Sequence, residues 1–191
     1  MKEHSGKYGP LQKFYVAFYR CRVTFARFLM ERKRIILDSS VYGAFLEKGR
    51  TDLVERLCLS PNVIIYGFSI IRRELRRAPV RKYFEGVNLR SFLLYTYDRL
   101  TQKHEYPLND VIERIAHEYS DKYTGGISRD LLWNDFLIVA CASFHRLVII
   151  ITDDNHSMAS DPAKRAYEEV NKKYGLEKPS FLDTEGLESL V

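Results

Sequence analysis

Two short apolar runs, each followed directly by aspartate, constrain the fold of this chain most strongly. The first is Arg34–Leu37 followed by Asp38, and the second is Leu147–Thr152 followed by Asp153 and Asp154. Such runs are typical of strands buried on both faces, as in a parallel sheet covered by helices. Ligands bind beyond the carboxyl ends of such strands, and clustered acids there need a cation to neutralise them. The two runs therefore predict a metal site at one edge of a sheet.

The rest of the chain alternates strand-like and helix-like segments. A further apolar strand is predicted over Val63–Tyr66, broken by Gly67, and Ser69 is expected to cap the helix that follows. Asp161 is predicted to be the N-cap of a later helix that has Pro162 in its first turn and ends at Gly175. This alternation predicts an α/β class, a three-layer α/β/α fold with a mostly parallel central sheet.

The charge of the chain is unevenly distributed. Residues 1–34 contain nine basic and two acidic residues, a net charge of +7, whereas the remaining 157 residues carry a net charge of −2. A length of 191 residues fits one domain with an added segment. We therefore expect an N-terminal helical extension over residues 1–33 and a globular domain over residues 34–191.

Aromatic residues are interleaved with the basic residues of the extension. They are Phe14, Tyr15, Phe18, Tyr19, Phe25 and Phe28. One interpretation is a nucleic-acid-binding arm, with cations for phosphates and rings for stacking. The other, which the roughly helical spacing favours, is an amphipathic helix whose aromatic stripe packs on the domain or on a second subunit. The two roles are compatible, because the opposite face would remain basic.

The composition indicates a cytoplasmic protein. No uninterrupted apolar stretch reaches the roughly 18 residues of a membrane helix, so no membrane association is expected. Arginines at positions 20, 22 and 27 interrupt the N-terminal segment, which argues against a secretory signal. The three cysteines are Cys21, Cys58 and Cys141, which are too far apart to form a CxxC pair and indicate a reducing compartment.

Asp135 is the most diagnostic single residue. Its neighbours at helical spacing are all apolar: Leu131, Leu132, Ile138 and Val139. A carboxylate on a core-facing stripe is rarely tolerated without a partner. Either Asp135 belongs to a functional cluster with the other acids, or it meets a buried arginine or caps a backbone group.

Glu74 lies in a strongly basic segment. Ile70 and Ile71 precede it by one turn on the same side, which favours an inward-pointing Glu74 with the cations outside. The alternative is an exposed, ion-pairing glutamate. The candidates for phosphate contacts in this segment are Arg72, Arg73, Arg76, Arg77, Arg81 and Lys82.

Together these blocks resemble the PIN domain, a family of metal-dependent nucleases. The resemblance covers residues 34 to 185 and rests on four short blocks: Ile36-Leu37-Asp38-Ser39-Ser40, Glu74-Leu75, residues 134–142 and Ile151-Thr152-Asp153-Asp154. It implies a ribonuclease that prefers single-stranded RNA and uses Mg²⁺ or Mn²⁺. It also implies a homodimer, and a role such as toxin in a toxin–antitoxin pair would imply an antitoxin-like partner.

The resemblance assigns the family's roles to particular residues. The catalytic and metal-binding acids fall on Asp38, Glu74, Asp135 and Asp154, with Asp153 as an additional acid that could substitute for Asp154. The supporting hydroxyls fall on Ser40 and Thr152.

Two other functional classes remain open. A catalytically inactive module of the same fold would bind RNA or a partner protein without cleaving anything. A phosphotransfer domain would need a DxD pattern after the first strand and a lysine after a late strand. Asp38-Ser39-Ser40 lacks that pattern, and no such lysine follows a late strand.

Overall fold

A computed structural model describes residues 32–84 and 86–191 of the chain. The compact unit within it spans Lys33–Val191. The predicted helical extension over residues 1–33 therefore lies almost entirely outside the described residues. In the described ranges, no helix is both long enough and apolar enough to cross a membrane.

Five parallel strands form the central sheet. Their spatial order is β5-β2-β1-β6-β7. The bounds of these strands are β1 Lys33–Leu37, β2 Val63–Phe68, β5 Glu105–Tyr106, β6 Ile149–Ile151 and β7 Ser180–Leu182. All four strand pairings in this sheet are parallel. The predicted α/β class with a largely parallel sheet is confirmed.

The centre of the sheet is apolar on both faces. Ile35, Ile36 and Leu37 of β1 are completely buried, and Ile149–Ile151 of β6 is buried along its whole length. Burial on both faces explains why the two runs are continuous in isoleucine and leucine instead of alternating with polar residues.

Helices cover the sheet. Those of the described residues are α1 Ser39–Glu47, α2 Thr51–Leu59, α3 Ser69–Arg76, α4 Leu89–Thr101, α5 Asp110–Lys122, α6 Trp133–Phe144, α7 Asp161–Tyr174 and α8 Thr184–Glu188. The rings of Tyr42 and Tyr97 join α1 to α4 with centroids 5.6 Å apart, and those of Tyr119 and Tyr167 join α5 to α7 at 4.9 Å. A sheet flanked by helices in this way is consistent with a three-layer arrangement.

Strand β2 does not end where the sequence predicts. It continues through Gly67 to Phe68. The Tyr97 hydroxyl lies only 2.3 Å from the place that a Cβ at position 67 would occupy, so glycine is needed there for a close approach. Gly67 therefore does not break the strand; it leaves room for the buried Tyr97 ring.

Helix ends match the sequence predictions only in part. Ser69 does not cap α3; its hydroxyl instead accepts a hydrogen bond from the Leu108 N–H at 3.1 Å. Helix α7 begins at Asp161 with a proline in its first turn, but the residue at its N-cap is Ser160. Gly175 ends α7 with φ of +66°, a conformation that glycine adopts without strain.

A short antiparallel hairpin, not predicted from the sequence, follows α3. It consists of β3 Tyr83–Phe84 and β4 Val87–Asn88, and Gly86 in its turn has φ of +82°. The Asn88 side-chain amide donates to the Val80 carbonyl oxygen at 2.6 Å. The hairpin is thereby fastened both to the segment before it and to the start of α4.

Candidate functional site

Asp38 lies at the carboxyl end of β1 with its orientation firmly set. Only 7% of its surface is exposed, and its Oδ1 accepts from the Ser39 N–H at 2.7 Å. Its Oδ2 accepts from the Ser40 hydroxyl at 2.7 Å and from the Thr152 hydroxyl at 3.1 Å. Asp38 is also the N-cap residue of α1. The two hydroxyls predicted to support the site thus both contact the first acid.

Asp154 lies beyond the end of β6, in a turn closed by its own side chain. Its Oδ1 accepts from the backbone N–H groups of His156 at 3.0 Å and of Ser157 at 2.8 Å. Its Oδ2 lies 2.5 Å from the Ser157 hydroxyl. Burial acts to raise the pKa of Asp154, but these hydrogen bonds outweigh burial and lower the pKa from its usual value, which favours the charged form.

Asp135, in the first turn of α6, is the most perturbed acid of the site. Burial and, to a smaller extent, the negative charges of Asp38, Asp154 and Glu74 outweigh a hydrogen bond from Ser157 and raise the pKa of Asp135 from 3.8 to about 7. The structure therefore places Asp38, Glu74 and Asp154, which lie far from Asp135 in the sequence, within electrostatic reach of it.

The Ser157 hydroxyl bridges two of these acids. Its oxygen lies 2.7 Å from Asp135 Oδ2 and 2.5 Å from Asp154 Oδ2. A hydroxyl has one proton and can donate it to only one carboxylate at a time. The second contact is satisfied when Asp135 carries a proton, as its raised pKa favours, or when a cation stands between the oxygens.

Glu74 is oriented by an amide on the facing helix. Its Oε1 accepts from the Asn134 Nδ2 at 2.5 Å, which joins α3 to the start of α6. Glu74 is half-buried, whereas Arg73 and Arg76 beside it are exposed. The inward-pointing glutamate with outward cations is the arrangement expected from Ile70 and Ile71, both of which are buried.

The donor chemistry of the cluster suits a hard divalent cation, because Mg²⁺ and Mn²⁺ prefer carboxylate oxygens. The buried hydroxyls of Tyr42 and Tyr167 have no hydrogen-bond partner within the described ranges. The charge of Asp38 acts on Tyr42, and that of Asp135 acts on Tyr167. Buried hydroxyls need partners, and the ordered waters that Mg²⁺ retains would supply them.

The side-chain arrangement differs from a formed metal site. Among residues 32–84 and 86–191, no three His, Cys, Asp or Glu side chains are grouped so as to hold one ion. The carboxylate oxygens of Asp38, Asp135 and Asp154 are directed to hydroxyl donors instead. The charges of Asp38, Glu74 and Asp154 are close enough to raise the pKa of Asp135, but the carboxylate oxygens do not converge on one point.

Asp153 points away from the other acids. Its Oδ1 accepts from the Thr184 N–H and its Oδ2 from the Thr184 hydroxyl, both at 2.8 Å, and Lys48 Nζ lies 3.4 Å from Oδ2. Asp153 therefore fastens α8 and the end of α1 to the sheet. We leave it out of the proposed ligand set, in contrast to the sequence-based expectation that it could substitute for Asp154.

The predicted phosphate contacts fall into two groups. Arg72 is engaged by α4: it contacts both carboxylate oxygens of Asp98, one of them at 3.2 Å, and lies 5.5 Å from the centroid of the Tyr97 ring. We therefore leave Arg72 out of the proposed RNA contacts. The other five candidates are exposed and enter no ion pair within the described ranges: Arg73, Arg76, Arg77, Arg81 and Lys82.

Two residues of the site were not assigned roles from the sequence. Asn134 precedes Asp135, and a polar pair at the start of an apolar helix was a usable signal. Ser157 follows Asp154 by three residues, the spacing at which an aspartate side chain bonds to the backbone in a turn. That spacing gives no sign that the Ser157 hydroxyl also reaches Asp135 on another element.

Comparison of the chain with models of protein families, with curated proteins and with solved structures finds no significant match. The resemblance to the PIN domain therefore rests on the residues described above.

Proposed function

We propose that the chain is a divalent-metal-dependent ribonuclease that hydrolyses phosphodiester bonds of RNA. The supporting observation is that three acids, Asp38, Glu74 and Asp154, act electrostatically on Asp135, whose pKa burial and these charges raise to about 7. A folded chain that keeps repelling charges together at one sheet edge is destabilised by them, which is typical of a site built for a cation. The exposed cations next to Glu74 suit a polyanionic substrate.

In this proposal Asp38, Glu74, Asp135 and Asp154 hold Mg²⁺ or Mn²⁺. When bound, such an ion supplies charge stabilisation at the scissile phosphate and a water of lowered pKa. Ser40 and Thr152 fix the carboxylate of Asp38. Ser157 and Asn134 set the orientations of the remaining acids. Bonds of this kind hold ligands in the geometry that the ion needs.

Cleavage of a labelled single-stranded RNA tests the proposal. We expect cleavage with Mg²⁺ or Mn²⁺, none with EDTA, and a loss of at least about 100-fold in Asp135→Asn, as when one electrostatic stabiliser of a transition state is removed. Asp121→Asn is the matched control, because Asp121 is exposed on α5 and forms no ion pair within the described part of the chain. Activity that survives EDTA or Asp135→Asn contradicts the proposal.

A second candidate function is an inactive module that binds RNA or a protein partner. It is favoured by the lack of three converging metal ligands among the described residues. Calorimetric titration of the EDTA-treated protein with Mn²⁺ distinguishes the nuclease from the inactive module. Binding that is lost in Asp135→Asn supports the nuclease, and RNA binding without any Mn²⁺ binding supports the inactive module.

A further inference from the structure

The positive charge of residues 35–191 is concentrated beside the acid cluster. Residues 72–82, here called the basic strip, contain six basic residues and one acid, Glu74. The rest of residues 35–191 contains fifteen basic and twenty-two acidic residues. A polyanion approaching this face therefore meets a local net charge of +5 in a domain that is otherwise acidic.

Helix α4 runs antiparallel to α3 along the basic strip. Arg72 contacts Asp98 near the end of α4, and Arg90 near its start donates from Nε to the Ala78 carbonyl oxygen at 2.7 Å. Tyr95 is three residues before Asp98, on the same helix face. Tyr95 is thus one turn from Asp98, the partner of Arg72 at the start of the basic strip, and 63% of Tyr95 is exposed.

A second exposed tyrosine lies at the other end of the basic strip. Tyr83 in β3 is also 63% exposed, directly after Arg81 and Lys82. Within the described ranges, neither Tyr83 nor Tyr95 contacts another ring, and neither hydroxyl has a hydrogen-bond partner. One exposed tyrosine needs no explanation, but two beside a strip in which five of the six basic residues have no ion pair within the described ranges form a pattern used for nucleic acids.

We propose that the basic strip with Tyr83 and Tyr95 is the binding surface for single-stranded RNA. Bases stack on the two rings, and phosphates contact Arg73, Arg76 and Arg77 between them. This inference rests on the proposed function, since it names the substrate surface of the same site. The backbone of Tyr83 is held in place because it pairs with Asn88, whose side chain bonds to the Val80 carbonyl oxygen, and because α4 follows the hairpin directly.

The surface favours unpaired RNA for a physical reason. In a duplex the bases stack on one another and their faces are not available to side chains, whereas a single strand can place its bases on aromatic rings. Cations alone would bind both forms. The two tyrosines therefore determine the preference, and the position of Glu74 within the strip brings the bound strand next to the acids.

Fluorescence anisotropy with a short labelled RNA tests the surface, using Asp135→Asn protein so that no cleavage occurs. Tyr83→Leu and Tyr95→Leu are each expected to weaken binding of the single strand about tenfold, because one base–ring stack contributes about 1–3 kcal/mol by substitution. Tyr83→Phe and Tyr95→Phe retain the ring and should bind like the parent. Tyr174→Leu, at an exposed tyrosine of α7, is the control.

The same variants also give a duplex measurement. We expect weaker binding of a duplex of the same sequence, unchanged by either leucine substitution. Arg77→Gln should lower the slope of log affinity against log salt by about 0.7 for the single strand. The melting temperature of each variant is compared with that of the parent to check that the substitution leaves the fold intact.

The proposal is overturned if both leucine variants bind the single strand as the parent does, or if the duplex binds equally well. Binding of an acidic protein in place of RNA overturns it as well. The cleavage assay with and without metal is independent of these results. If the wild-type protein cleaves RNA with metal but the leucine variants bind RNA normally, only the proposed RNA surface is wrong. If binding depends on the tyrosines but the wild-type protein does not cleave RNA, only the proposed nuclease activity is wrong.

Discussion

Replacement of Asp135 by asparagine is expected to stabilise the metal-free protein while abolishing its activity. Most substitutions of half-buried polar residues destabilise a fold, so the sign of this effect is a demanding test. The reason is that burial, and then the neighbouring charges of Asp38, Asp154 and Glu74, disfavour the charged form of Asp135. Asparagine has nearly the same shape, has no charge at any pH, and can still accept the hydrogen bond from Ser157.

The magnitude follows from the pKa. The pKa of Asp135 is raised to about 7 in the folded protein from the ordinary value of 3.8, which applies to the unfolded chain. Between these pH values the folded state therefore binds one more proton than the unfolded state. The free energy of unfolding therefore falls as the pH rises through this window. About three pKa units at 1.36 kcal/mol each gives roughly 4 kcal/mol above pH 7. The asparagine amide accepts a weaker hydrogen bond from Ser157, which offsets part of this gain. We therefore expect Asp135→Asn to raise the free energy of unfolding of the metal-free protein by about 2–3 kcal/mol.

Thermal unfolding of EDTA-treated protein measures this effect. At a pH of about 8, the melting temperature of Asp135→Asn should exceed that of the wild type by roughly 2–4 °C for each kcal/mol. The difference should shrink near pH 4, where the wild-type carboxyl is protonated in the folded state. Mn²⁺ should raise the melting temperature of the wild type and leave Asp135→Asn unchanged. A variant that is less stable than the wild type at pH 8 without metal refutes the reasoning.

Three further substitutions test other parts of the structure. Ser157→Ala removes the donor shared by two carboxylates and should lower the free energy of unfolding of the metal-free protein by about 1.5–3 kcal/mol, measured by urea denaturation; an unchanged midpoint argues against the bridge. Asn134→Ala frees Glu74 and should weaken Mn²⁺ binding about 10- to 100-fold in calorimetry, with unaltered affinity as the contrary result. Gly67→Ala forces a methyl group against the Tyr97 ring and should destabilise by about 1–3 kcal/mol, part of which the double variant with Tyr97→Phe recovers; full stability of Gly67→Ala contradicts the close approach.

The features predicted correctly are those encoded in continuous or periodic stretches of sequence. The apolar runs before Asp38 and Asp153 could be assigned to buried strands because a strand covered on both faces needs apolar residues at every position. Parallel strands then bring their following acids to one edge, which is why Asp38 and Asp154 could be paired across 116 positions.

What could not be predicted depends on contacts between distant residues. Gly67 resembled a strand breaker because the Tyr97 ring that it accommodates is thirty residues later. The hairpin over residues 83–88 has two residues in each strand, too few to show an alternating pattern. The sequence left open whether Asp153 could substitute for Asp154, and the contacts with Thr184 and Ser157 distinguish the two.

The adjacent carboxylates of Asp153 and Asp154 point in different directions: one fastens a helix, and the other joins the acid cluster. Deletion of one residue after Thr152 would put Asp154 in the place of Asp153 and Asn155 in the place of Asp154, so the acid cluster would lose one carboxylate. This connection therefore has no freedom of length, unlike most surface loops. Insertions and deletions between β6 and α7 are compatible with the fold and the site only after Ser157.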